Sequence, residues 1–540
     1  TFINRSEYSF QHYGADLRGS GSKIESKNYD YSSDNIITYK RAFNKVHSIN
    51  ATLLYGIEKR NYTSTYAGAS DFINNVLGYN RLQAGNAELY NVNSEAWEES
   101  SLYQMARLFY GYNNKYLVTG TIRRDGFSGF SKNNKIGIFP SAALAWVISN
   151  EPFIQSNINW IDNLKLRVSY GSNGNRTISR YQTLATVTGG YNYVTADESS
   201  VYTQSIAALA SPNLKWETTT GVNLGLDLGV FKGRVFGTLD YYNNNTTNLL
   251  YNVDIPAISR YTNFPDNLGK LHNHGIDIII SSINVRRSDF TWKSTFSFSR
   301  NRNELKELLG FDNDEDGKED DLVSEGLFIG EPLSAIYTYK ITDDFWEIGE
   351  DLPAGFAYGS YKIEDISKDG EFTPEDREII GYEEPAYRFS INNELSYRNW
   401  TLRVFINSIQ GGKDYYLGKD DLSNWALSES VFRRNLPEEI DFWYPGNSDA
   451  TYHAIPITGK YGDRWVQRSF VRLQDVSLSY NFSNSMLSNL KIQSLKIYAS
   501  GKNLATWTKW PGWDPETGDP ISRDGRPVIS SFTLGLNVEF

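Results

Sequence analysis

The chain has 540 residues, with 53 Lys and Arg against 64 Asp and Glu, a formal charge of -11 and no cysteine. That acidic balance excludes a protein built to neutralise a nucleic-acid backbone, and the lack of cysteine excludes disulfides and thiolate metal sites. Aromatic residues are 14%, with 37 Tyr and 13 Trp, yet mean hydropathy is -0.49 and no run approaches the ~20 apolar residues of a membrane helix.

Taken in order, the chain opens on TFINRSEYSF, neither an initiator Met nor a basic-then-apolar leader. This predicts a chain that begins inside a longer protein or after processing. Segments 35–43 and 47–58 alternate like strands. Segments 104–112 and 115–123 are the next pair, with Asn113 and Asn114 as a two-residue turn. Segments 136–147 and 164–170 follow, then 218–230 and 234–242 around a short turn containing Gly233. Further strands are expected at 275–283, 291–301, 388–397, 400–409, 471–482 and 495–502. In the last stretch, SSFTLGLNVEF, Phe532, Leu534, Leu536, Val538 and Phe540 alternate with Thr533, Gly535, Asn537 and Glu539. One face is apolar and the other polar, so this strand either lies at a sheet edge or closes a barrel.

The count comes to roughly fourteen to seventeen strands, many about as long as the 9–11 residues of a tilted membrane strand. Between them, short turns contrast with long polar excursions at 67–101, 175–213, 304–385 and 411–469. Tight turns at one rim and long loops at the other predict an all-β chain, a large antiparallel transmembrane β-barrel forming one domain over residues 1–540. The aromatic load fits this reading, because Tyr and Trp ring such barrels at both interfaces.

Chemistry is sparse. Asp365-Ile-Ser-Lys-Asp-Gly-Glu-Phe-Thr-Pro-Glu-Asp376 matches a calcium loop. Asp365, Ser367, Asp369 and Asp376 place oxygen side chains at positions 1, 3, 5 and 12, with Gly370 at 6, Glu371 at 7 and Phe372 at 8. A hard cation wants several oxygens on a tightly curled backbone, so the loop is a candidate for Ca²⁺, but Ser at position 3 and Asp rather than Glu at position 12 weaken the match and tip the balance slightly toward a solvated acidic turn. A second acidic run, Asp312 to Asp321, begins alike but has Val323 where the closing carboxylate belongs, and reads as a mobile charged loop. Of His12, His47, His272, His274 and His453, only His272 and His274 share a strand face, which could suit a metal but reads first as ordinary surface or lumen placement. No nucleophile–base pairing, phosphate loop or zinc motif is present, so no enzyme is expected. Trp346, Trp425, Trp443, Tyr444, Trp507, Trp510 and Trp513 fall in or beside long loops, where rings stack on sugars, anchor a partner or pack the loop itself.

Several ordered segments resemble the SusC/RagA family of TonB-dependent outer-membrane transporters. They include YLVTGTIRRDGFSGF from Tyr116, FPSAALAWVISNEPF from Phe139, LKLRVSYGSNGN from Leu164 and LKWETTTGVNLGLDLGVFKGRVFGTLDYYNNNTTNLL from Leu214. NLGKLHNHGIDI from Asn267, IGEPLSAIYTYK from Ile329, SFVRLQDVSLSYNF from Ser469 and SGKNLATWTKWPGWDPE from Ser500 follow in the family's order. The resemblance implies an outer-membrane barrel of about 22 strands, in a Gram-negative bacterium, filled by an N-terminal plug behind a TonB-binding segment. What is present here looks like the C-terminal part of such a barrel. The family pairs with a SusD-like surface lipoprotein lid and imports oligosaccharides or oligopeptides with energy delivered through TonB. A last strand ending in Phe, as at Phe540, is the signal that the barrel-assembly machinery recognises in this class. The alternative function is a non-transporting structural subunit of a larger outer-membrane assembly.

Overall fold

The computed structural model describes residues 2–8, 19–74, 76–178, 180–195, 200–255, 258, 261, 263–415, 441–454, 464–487, 492–518 and 526–539. Its strands begin with β1 (Phe2–Tyr8), β2 (Ser20–Phe43), β3 (His47–Ser70), β4 (Asn91–Tyr112), β5 (Tyr116–Phe127), β6 (Ile136–Val147) and β7 (Ile161–Asn175). A two-stranded sheet of β8 (Thr186–Val194) and β9 (Ser200–Ala208) precedes β10 (Glu217–Val230), β11 (Val235–Asp254), β12 (Asn263–Arg286) and β13 (Phe290–Glu307). Two short pairs follow, β14 (Ala335–Tyr339) with β17 (Arg377–Tyr382), and β15 (Ile341–Phe345) with β16 (Tyr361–Ile363). Next come β18 (Pro385–Tyr397), β19 (Trp400–Gly411), and the pair β20 (Lys413–Tyr415) and β21 (Trp465–Gln467). The last are β22 (Phe470–Asn481), β23 (Ser494–Thr508) and β24 (Ser531–Glu539). Apart from the short pairs, all strands join one 16-stranded sheet in simple chain order, within the expected count.

The strands run longer than the sequence suggested. β2 and β3 are 24 residues each and keep an unbroken register from Ser20↔Ser70 to Phe43↔His47. Beyond the apolar stretch their side chains turn polar and carry no burial signal, but the ladder still pairs the two backbones along their whole length. The excursion expected at 67–101 therefore narrows to 71–90, which holds two 3₁₀ turns at Gly78–Ala84 and Ala87–Leu89. The turn after β4 takes in one residue more than the two expected: Tyr112 pairs with Tyr116, Asn113 and Asn114 both have positive φ, and Lys115 N–H donates to the Tyr112 carbonyl at 2.9 Å.

By contacts the chain divides into two compact units, one of residues 1–144, 169–220 and 246–268, the other of 145–168, 221–245 and 269–540. In the first, register aligns Ile37, Leu53, Ala106 and Ile122 in one cross-strand row and Thr38, Thr52, Arg107 and Thr121 in the next, on the opposite face. A buried cluster of Phe127, Phe130, Phe139 and Trp216 packs at the long-loop end of its strands.

The second unit repeats the alternation. Trp292, Leu395, Leu402, Leu478, Ala499 and Leu534 form one row, and Thr291, Ser396, Thr401, Ser479, Tyr498 and Gly535 form a row on the other face. β24 pairs with β23, the strand near Leu495, and so places Phe532, Leu534, Leu536 and Val538 on the apolar face; Phe540 lies outside the described residues. This face is bare: Leu534 is 85% exposed. On the polar face, glycines make notches for facing rings, Gly56 opposite Tyr103 and Gly535 opposite Tyr498, and a Cβ at either glycine would land on the ring. Rings also gather at the short turns, with Trp160 on Phe231 at 5.7 Å and Trp400 on Tyr480 at 4.8 Å between centroids.

Candidate functional site

The polar face carries the charge. In the first unit Tyr103 donates to Asp34 at 2.5 Å, and Arg123 grips Asp125 with two bonds of 2.7 and 2.8 Å. Tyr103, Arg123 and Asp125, with Glu58, Arg176, Phe139 and Trp216, line a cavity of about 580 Å³. Nearby, Arg180 lies 3.6 Å over the ring of Trp97 and pairs with Glu99 at 3.2 Å, and Trp97 stacks on Tyr62. A cavity of about 610 Å³ opens there, lined by Lys59, Glu98, Lys132, Lys135, Arg180 and Tyr181 among others. Charges and rings in one wet groove can hold a polar chain by hydrogen bonds and stacking.

In the second unit the polar face is tied more tightly. Arg167 donates to Asp227 at 2.9 Å and to Asp240 at 3.0 and 3.1 Å, and Lys165 lies 3.4 Å from Asp227. Arg472, 3% exposed, bridges Asp514 at 2.7 Å and Glu516 at 2.8 Å. These partners lie 42 to 73 residues apart, so no local spacing in the sequence announces them.

The excursion expected at 304–385 folds into a lobe with its own core. Phe345, Tyr361, Trp443 and Ala450 pack together, and the Tyr361 hydroxyl donates to the Thr451 carbonyl at 2.7 Å. Burial pushes the Tyr361 phenol up to about 12. Trp443 donates to Glu347 at 2.9 Å, while Trp346 packs edgewise against Phe372. Two of the loop rings therefore serve packing here, and Trp510 is also buried. Tyr444, Trp507 and Trp513 remain exposed; Trp425 and His12 lie outside the described residues.

Both acidic loops adopt one backbone form. At position 1, Asp365 accepts from the Gly370 N–H at 3.0 Å, and Asp312 from the Gly317 N–H at 3.1 Å. At position 5, Asp369 accepts from Glu371 N–H and Asp316 from Lys318 N–H, each at 2.8 Å. Positive φ falls at position 4 in both, Lys368 and Glu315, and at the glycines. In the first loop Ser367 Oγ lies 3.3 Å from Asp365. Asp376 is fully buried and accepts from Ser367 N–H at 3.0 Å and Thr373 N–H at 2.7 Å, completing a capping box with Thr373. Those two backbone donors hold its carboxyl below the usual range. In the second loop the carboxylates of Asp312, Asp314 and Asp320 converge within 4.8 Å. A template that demands position 12 passes over Asp320, which stands at position 9.

His272 and His274 do share a face, with ring centroids 5.1 Å apart. His272 Nε2 meets Asn243 at 3.1 Å and its Nδ1 is 3.7 Å from Glu304.

Comparison with known proteins now bears on this arrangement. Residues 2–504 match the family model described as TonB dependent receptor-like, beta-barrel. The chain is 32% identical to TonB-dependent receptor P3 of Formosa agariphila over 94% of its own length and 52% of that protein's. To TonB-dependent receptor SusC of Bacteroides thetaiotaomicron it is 30% identical, over 84% of this chain and 45% of that protein. The chain thus spans about half the length of the curated relatives it matches. Among solved structures, the RagAB peptide transporter aligns with a TM-score of 0.82 at 23% identity, over the whole of this chain and 58% of that one.

Proposed function

Because this chain belongs to the TonB-dependent receptor-like β-barrel family, in its SusC/RagA branch, we propose that it forms the wall of an outer-membrane importer. The β-barrel sits in the outer membrane, its exposed apolar rows turned to lipid. The cargo on this reading is an oligosaccharide or oligopeptide, moved inward with TonB-delivered energy beneath a SusD-like lipoprotein lid. The observation that carries it is the polar face of the first unit, where Arg123, Arg176, Trp216 and Tyr103 line one cavity. Such a surface suits a hydrated, hydrogen-bonding chain rather than a membrane-permeant solute. Growth on a panel of glycans and peptides as sole carbon source tests it. Loss of growth on one nutrient class, both on deleting the gene and on uncoupling TonB, is expected. Undiminished growth on every nutrient in both strains would refute the reading.

Calcium belongs to the same proposal. Asp365, Ser367 and Asp369 bring oxygens to one curl, while both oxygens of the buried Asp376 accept from backbone N–H groups, so a hard cation held here would draw on the first three and tie the lobe's strands together. Metal analysis of the purified protein should find calcium that Asp365→Ala removes, together with faster proteolysis of the lobe. Equal protease resistance with and without a chelator, and no calcium retained, would count against it.

A further inference from the structure

The apolar face of the second unit ends abruptly on the long-loop side. On β13 the lipid-facing side chains Phe296 and Phe298 give way to Arg300, Arg302 and Glu304. Facing them on β12, Ile280 and Ile278 lead through Ile276 to His274 and His272, register partners of Arg302 and Glu304. On β11, Asn243 joins them through its bond to His272. Tight turns close the other end of these strands at 287–289, so this polar patch stands at the outer-leaflet headgroup level.

Charge at this spot is lopsided. Lys306 pairs with Glu304, while Glu384, which accepts from Asn303 at 2.6 Å, keeps its charge; against it stand Arg300, Arg302 and Lys413, so the balance is basic. Arg302 reaches the Pro385 carbonyl at 3.3 Å with one nitrogen only. Arg300 is exposed and makes no hydrogen bond, ion pair or ring contact among the described residues. His274 Nδ1 is buried without a hydrogen-bond partner. Arg300, Arg302 and Lys413 line a cavity of about 510 Å³ together with His274, Glu304 and Glu384. An unpaired guanidinium directly above a phenylalanine stripe matches a molecule that is anionic at its head and acyl at its tail.

We propose that this patch binds the phosphate-bearing headgroup of an outer-leaflet glycolipid, with Arg300 and Arg302 on the phosphate and the acyl chains along Phe298, Phe296 and Ile278. The docking is continuous with the membrane-facing surface, which is why a lipid rather than a soluble anion is the occupant. It does not depend on what the barrel transports. Because Arg300 holds nothing else in place, its replacement should leave the fold intact.

The test is binding of bis-phosphorylated lipid A to the purified full chain in mild detergent. Arg300→Gln should weaken binding roughly fivefold, the weight of one basic residue at a membrane surface, and Arg302→Gln should add to it. Phe298→Ser should also weaken lipid A binding, lipid A stripped of phosphate should bind no better to wild type than to Arg300→Gln, and Lys318→Gln, on an exposed loop, should change nothing. Heat-modifiable gel migration verifies that each variant is folded. Unchanged binding in the Arg300→Gln, Arg302→Gln double variant overturns the proposal. So does full displacement by inorganic phosphate with Phe298→Ser inert, which would make the patch a soluble-anion site, and so does a loss that Lys318→Gln reproduces.

Discussion

Gly359 decides how the lobe closes. Its φ of +82° suits glycine alone among common residues, and a Cβ there would meet the Trp443 ring and the Ala454 methyl. Its carbonyl also accepts from Ala454 N–H at 2.8 Å, so it cannot drift away from that contact. Gly359→Ala should therefore loosen the lobe by roughly 1–3 kcal/mol, from overpacking and backbone strain together. Limited proteolysis should show faster cleavage within 304–385 while the barrel strands stay resistant; unchanged cleavage would show that Trp443 gives way without cost. The sequence contains Gly359 but no hint of its neighbour, because Trp443 lies more than eighty positions downstream. The curl of the first acidic loop, with its Gly370 at positive φ, was legible for the opposite reason, since all its residues fall within twelve positions. Asp320 escaped because its contribution to the second loop breaks the spacing that such a template assumes.

At the scale of the strand, period-two alternation did most of the work. It is strong wherever one face meets lipid, and it placed the strands of the large sheet from β2 onward. Where the strands pass beyond the bilayer both faces are wet, alternation fades, and the ends of β2, β3 and β4 became visible only as hydrogen-bonded ladders. The two faces also make opposite demands on substitution. Ile406, in the row Ile280, Phe296, Ile391 and Leu473, should not tolerate charge: Ile406→Arg should cost about 2–4 kcal/mol of stability in bilayers if it sits near the midplane. Its neighbour Asn407 faces the polar side, and Asn407→Arg should cost far less. Denaturant unfolding in lipid vesicles compares the two, and equal losses would mean that the faces are misassigned.

For the whole molecule, the resemblance read from ordered segments and the matched family agree on class, and the sheet follows chain order as an outer-membrane barrel wall should. Charge pairings such as Arg167 with Asp227 and Asp240 stayed hidden, because only the register of distant strands brings them together. That register is itself guarded. A slip by one residue would turn every side chain to the wrong face, and lipid forbids it. Slipping by two preserves the faces, so hydrophobicity alone does not detect the mistake. The glycine notches do: moved two places, Tyr103 would no longer meet Gly56, nor Tyr498 Gly535, and each ring would press on a substituted carbon. The notches thus act as keyed teeth, a proofreading device that rejects the misassembled wall that its solvent would accept.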